Sequence, residues 1–151
     1  MDKKEFIQQK FLELVSSLSA DQKGNWGVMN AQQMVEHVAD FFKVSYGKLK
    51  FQQVTPTEQL PKFREFLWSD KEFKENTKAP MLPETAFAAR NANMSDSLHE
   101  LKTDINTFFS YFEENADVKT PHPVFGELNI EDWIQLHYKH TQHHSKQFGL
   151  S

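Results

Sequence analysis

Residues 129–149, NIEDWIQLHYKHTQHHSKQFG, carry most of what decides the fold. Asn129 reads as an N-cap, because its side-chain oxygen can accept a backbone N–H that the start of a helix leaves unpaired. Glu131 and Asp132 follow in the first turn, where the positive end of the helix dipole favours them. Neither proline nor glycine interrupts the run until Gly149, which suits a helix terminator. The spacing predicts a helix from Ile130 to about Phe148. Its inward stripe is Trp133, Leu136, His137, His140 and Gln147. With 3.6 residues per turn, His140 and His144 stand about 40° apart and one turn along. His143 points away by roughly a quarter turn.

The same periodicity extends upstream. Leu98, Leu101, Ile105, Phe108 and Phe112 form a stripe at helical spacing, with Ser95 or Ser97 as its expected cap and Glu113-Glu114-Asn115 as its end. Ile7, Phe11, Leu14, Val15 and Leu18 predict a first helix that stops near Ser19-Ala20, before the turn residues Lys23-Gly24-Asn25-Trp26-Gly27. Asn30 with Gln33 has the form of a capping box, opening a helix whose inner side is Met34, His37, Val38, Phe41, Phe42 and Ser45. Between residues 55 and 94 lie four of the six prolines, which forbids one long element. A short helix over roughly residues 59–69 is expected there, followed by an extended connection from Lys71 to Arg90. Pro121-His122-Pro123 marks a turn, and no sustained two-residue alternation predicts a sheet. The expected architecture is an all-α four-helix bundle with one long irregular connection, in a single domain spanning residues 1–151.

Composition narrows the function classes. The 151 residues suffice for one hydrophobic core, and fourteen Phe with three Trp supply its bulk. There is no Cys, which excludes disulfides, thiolate ligands, iron–sulfur clusters and a cysteine nucleophile. The formal net charge is -4 and Lys and Arg are dispersed, so neither nucleic acid nor a membrane surface is an expected partner. Without a signal-like or membrane-spanning apolar run, a cytoplasmic location is expected.

The histidines carry the chemistry. Two imidazoles at i, i+4 can serve one metal ion, although such pairs are more often solvated or hydrogen-bonded structural residues. Here the pair lies on the stripe that must face the core, where unpartnered imidazoles cost free energy. His37, on the inward face of the second helix, supplies a third corner. Three imidazoles suit Zn, Ni, Fe or Co better than Mg or Ca and leave positions open for water or substrate. His137 is the candidate for a supporting hydrogen bond or proton transfer, with a packed core histidine as the equal alternative. Gln147 could orient a ligand histidine. Glu36 points about 100° from His37 and reads as surface, and Tyr138 and Lys139 read as peripheral.

The segment His140-Thr141-Gln142-His143-His144-Ser145-Lys146-Gln147 resembles the H-x-x-H-H-x-x-Q signature on the last helix of the DinB/YfiT-like superfamily. Residues 26–37 and 122–140 resemble one of its branches, a DUF1569-type group. The resemblance covers residues 25–45 and 120–149. It implies an up-down-down-up bundle in which His37, His140 and His144 bind a divalent metal. It also implies a metal-dependent transferase or hydrolase acting on a small molecule, often with a thiol, in a chain that can dimerise. The alternative is a non-catalytic bundle in which the metal only stabilises the fold.

Overall fold

The computed structural model describes residues 2–75 and 87–150. Helix α1 covers residues 3–15, with Asp2 Oδ1 accepting from Glu5 N–H at 2.8 Å as its cap. Its middle turn, Phe6–Lys10, is π-helical, so that Phe11 N–H reaches back to Phe6 O. Phe6, Ile7, Phe11 and Val15 are all buried. The regular helix ends at Val15, earlier than expected. Ser16 Oγ and Ser17 Oγ donate to the carbonyls of Glu13 and Leu14, local bonds that compete with continuing the ladder.

Helix α2, Ala31–Ser45, opens with the expected capping box: Gln33 N–H donates to Asn30 Oδ1 at 2.9 Å and Asn30 N–H to Gln33 Oε1 at 2.8 Å. The short α3, Leu60–Leu67, follows a 3-10 turn over Thr57–Gln59 and has Pro61 in its first turn. Part of the predicted connection, residues 76–86, lies outside the described residues. Helix α4, Met94–Glu114, is capped by Asn93 and not by either serine. Ser97 is instead turned inward, fully buried against Glu36.

A small sheet corrects the purely helical expectation. Strand β1, Thr120–His122, pairs antiparallel with β2, Gly126–Leu128, with Pro121 opposite Glu127. Both strands alternate buried, exposed, buried, but three residues are too few for the period to show in sequence. Val124 N–H and Phe125 N–H both donate to the buried His122 Nδ1, at 2.9 and 3.3 Å, and close the turn. Helix α5, Ile130–Gln147, follows behind a second capping box, Asn129 with Asp132.

The result is an all-α fold in which α2 packs along α4, and α5 lies against α1 and α2. Ile7, Phe11, Met34, Val38, Phe42, Leu101, Ile105, Phe108 and Trp133 fill the centre. Fully burying one such side chain is worth about 2 kcal/mol. Polar ties then fix α5. Asp132 accepts both arms of the Arg64 guanidinium, at 2.8 and 3.0 Å, and Trp68 Nε1–H at 2.9 Å. Thr120 Oγ1 accepts from Trp133 Nε1–H at 2.7 Å and donates to Ser45 O at 2.8 Å, joining the end of α2 to the start of α5.

Because Asn129 caps the helix that carries two of the candidate ligands, Asn129→Ala should cost about 1 kcal/mol. For a chain of this size that lowers the melting temperature by roughly 2–4 °C, measurable by circular dichroism.

Candidate metal centre

Helical spacing on α5 and the inward face of α2 bring three imidazoles to one point. His140 Nε2 lies 3.0 Å from His37 Nε2 and 2.9 Å from His144 Nε2. The three residues form a cluster that could hold a metal ion, with all ligand atoms within 4.8 Å of one another. Phe41, one turn beyond His37, sets its ring edgewise to His37 at 5.1 Å and to His140 at 5.3 Å, which gives the cluster an apolar wall. His144 is buried, and His37 and His140 are half-buried.

The donor set has a simple consequence. A neutral imidazole nitrogen either carries a hydrogen or presents a lone pair. Two N–H groups aimed at each other across 3 Å would clash, so His140 Nε2 cannot carry a hydrogen if either His37 Nε2 or His144 Nε2 does. Three bare lone pairs would repel unless a cation lay between them. With all three lone pairs turned inward, the arrangement could hold a metal ion. Burial, reinforced by the nearby His143, pushes His37 down to about 4. Burial, then the charge of neighbouring histidines, also lowers His140 and His144 well below the ordinary range. Neutral, unprotonated imidazole is the form a metal requires.

Around the cluster, Gln147 Oε1 lies 2.6 Å from His144 Nδ1. Glu36 is not a surface residue. It is buried and accepts from Arg90 N–H at 2.9 Å, Asn91 N–H at 3.1 Å and Ser97 Oγ–H at 2.7 Å. Burial alone would raise its pKa, but these donors, with the Arg90 charge, bring it below the usual range. Nothing near Glu36 in sequence announces those partners, which lie more than fifty residues away. Lys139 is also buried, its ammonium donating to the carbonyls of Ser69, at 2.8 Å, and Lys71.

His137 sits behind the cluster, in the aromatic core. Its ring stacks on Phe42 at 3.8 Å and on Trp133 at 5.4 Å, with Phe108 edgewise at 4.9 Å. Its Nε2 is buried without a hydrogen-bond partner, and among the described residues no hydrogen bond joins it to the cluster. His143 lies between Trp26 and Phe73, with its ring centroid 5.1 Å from that of His144. It also lines a cleft of about 590 Å³ with Gln135, Lys139, Gln142 and Lys146. Those four residues stand roughly opposite the cluster on α5, so this cleft does not open onto the three nitrogens.

The family model of the DinB superfamily matches residues 5–148, nearly the whole chain. The chain belongs to the DinB superfamily. No curated protein and no solved structure matches it. Within this DinB chain, the last-helix histidines and the second-helix histidine that sequence spacing singled out are the ones brought together. The glycine-bearing loop at residues 23–27, read only as a turn, packs against Gln147, with Asn25 N–H donating to Gln147 O at 2.7 Å.

The lowered imidazoles make the metal-free protein acid-sensitive. Between pH 6.5 and about 4 the unfolded chain takes up protons that the folded His37 refuses. Stability therefore falls as the pH drops through that window and is fully present above it. Buried His122, held near 3 by burial, adds to the same slope. Urea midpoints across this range should decline steadily. A flat profile would contradict the buried, neutral state of these rings.

Proposed function

We propose that His37, His140 and His144 hold one divalent transition-metal ion, and that the protein is a metal-dependent enzyme acting on a small molecule. The observation that carries the reading is the meeting of three Nε2 atoms, with that of His140 3.0 and 2.9 Å from the other two. Zn, Ni and Fe all suit three imidazoles, and supply in the cell decides among them. When bound, such an ion lowers the pKa of a water or thiol in the open position and makes it nucleophilic near neutral pH. The chain's own contribution is to keep three imidazoles neutral, fix their directions and set Phe41 beside them to exclude water.

Among the described residues the candidate cluster stops at three donors, whereas closed structural zinc sites have four. That favours a catalytic over a purely structural ion. The last-helix resemblance supports a thiol-dependent transferase or hydrolase, and the DUF1569-type segments support membership of that branch. A cytoplasmic location and a homodimer complete the proposal. For His137 we propose a supporting role: its stacked ring braces α5 behind the ligands, and among the described residues its Nε2 has no hydrogen-bond partner.

The second reading, a non-catalytic protein stabilised by its metal, parts from the first in measurable ways. Freshly purified protein should contain about one equivalent of metal, and His140→Ala should remove it. Zinc titration into chelator-treated protein should raise the melting temperature, by mass action on the native state. Turnover in a screen of thiols with electrophilic small molecules decides for the enzyme. Metal content without any turnover decides for the structural ion, and a wild-type protein free of metal after reconstitution overturns both.

A further inference from the structure

The end of α5 is held by an unusual arrangement in the loop between α1 and α2. Gln147 Nε2 donates to Trp26 O at 2.9 Å. A backbone carbonyl can only accept, so the nitrogen end of the amide must face Trp26. The oxygen end therefore faces His144, with Oε1 2.6 Å from Nδ1. That oxygen also can only accept, so His144 Nδ1 must carry the hydrogen. In a neutral imidazole, Nε2 is then bare. Nε2 is the atom that faces His140 at 2.9 Å.

Two glycines make room for this amide. A Cβ on Gly24 would stand 2.9 Å from Gln147 Cγ, and a Cβ on Gly27 would stand 2.6 Å from Gln147 Nε2. Gly27 also has φ +84°, a left-handed conformation that side chains disfavour. Asn25 N–H, between them, donates to Gln147 O at 2.7 Å and satisfies a carbonyl at the helix end. The loop thus grips both the main chain and the side chain of Gln147.

We infer that the Gly24–Gly27 loop is a positioning element for His144: by locking the Gln147 amide, it fixes the histidine in its Nδ1–H tautomer before any ion arrives. The purpose of the clamp rests on the proposed metal site, but its existence does not. A loop serving only to cap α5 would need Asn25 N–H and nothing from the amide. The clamp instead predicts that a change which spares the backbone bond but displaces the amide alters His144 alone.

Gly27→Ala is that change, because its methyl meets the tip of a flexible side chain. Gly47→Ala is the matched control: Gly47 has φ +83° and open space where a Cβ would stand, so the backbone strain is alike and Gln147 is untouched. Gln147→Leu removes the acceptor and serves if Gly27→Ala fails to fold. Long-range proton–nitrogen correlation spectra of the metal-free full chain read the tautomer of His144 directly. Wild type and Gly47→Ala should show Nδ1–H, while Gly27→Ala and Gln147→Leu should lose that preference. Titration with zinc alone should show affinity about 10- to 100-fold weaker in those two variants. An Nε2–H tautomer in the wild type, an unchanged tautomer in both variants, or unchanged zinc affinity overturns the inference. A wild type that holds Nδ1–H through Gln147 yet binds no zinc supports the clamp and sinks the metal reading.

Discussion

Lone pairs directed at one another are the constraint from which the rest of this structure follows. His140 Nε2 lies 3.0 and 2.9 Å from the other two ring nitrogens, where facing lone pairs repel and facing N–H groups clash, so the surrounding fold has to hold the rings in place. The helices supply that rigidity through close packing: α2 is pressed on α4 by Met34, Val38 and Phe42 against Leu101, Ile105 and Phe108, all buried. At the centre α2 and α5 meet through the stacked rings of Phe42 and His137, while the rings of His37 and Phe41 stand edgewise to that of His140.

Charged groups set the outer frame. Lys43 reaches Glu100 at 2.8 Å and Asp104 at 2.5 Å, tying α2 to α4, and Tyr46 Oη–H donates to Asp104 at 2.7 Å. Arg90 spans Asp40 and Glu100 while its backbone N–H engages Glu36. Burial would raise the Glu100 pKa, but hydrogen bonds from Lys43, Asn91 and Arg90 prevail and bring it to about 2. Removing one member of such a network leaves a partly buried charge without its counterpart, which costs more than the pair contributes. Glu36, adjacent to His37, thus belongs to the frame that aligns α2 and not to solvent.

Reading the chain alone recovered the features that repeat locally. The stripe from Leu98 to Phe112, the capping pair Asn30 with Gln33 and the cap Asn129 are written within a few residues of the helices they define, and α2 and α5 start where those caps stand. The histidine cluster was legible because two members share one helix face and the third lies on another inward stripe. What escaped depends on partners far along the chain. Glu36 is buried only because residues 90–97 come to cover it. The hairpin is too short for its alternation to register, and the π-helical turn of α1 leaves the apolar pattern nearly unchanged. Asn93 capped α4 ahead of the expected serines because Ser97 was needed inside. Gly24 and Gly27 looked like ordinary turn residues, since nothing beside them in sequence reveals the glutamine they accommodate.

The two halves of the cluster are 103 residues apart in sequence. Contacts of such long range form only once most of the chain has condensed, because the entropy of closing so large a loop must be offset by other contacts first. An unfolded chain can offer a passing ion little more than the neighbouring imidazoles of 140, 143 and 144. An ion that prefers all three nitrogens therefore discriminates between finished and unfinished molecules. If an ion binds there as proposed, its binding draws the folding equilibrium toward completion only once α2 has found its place.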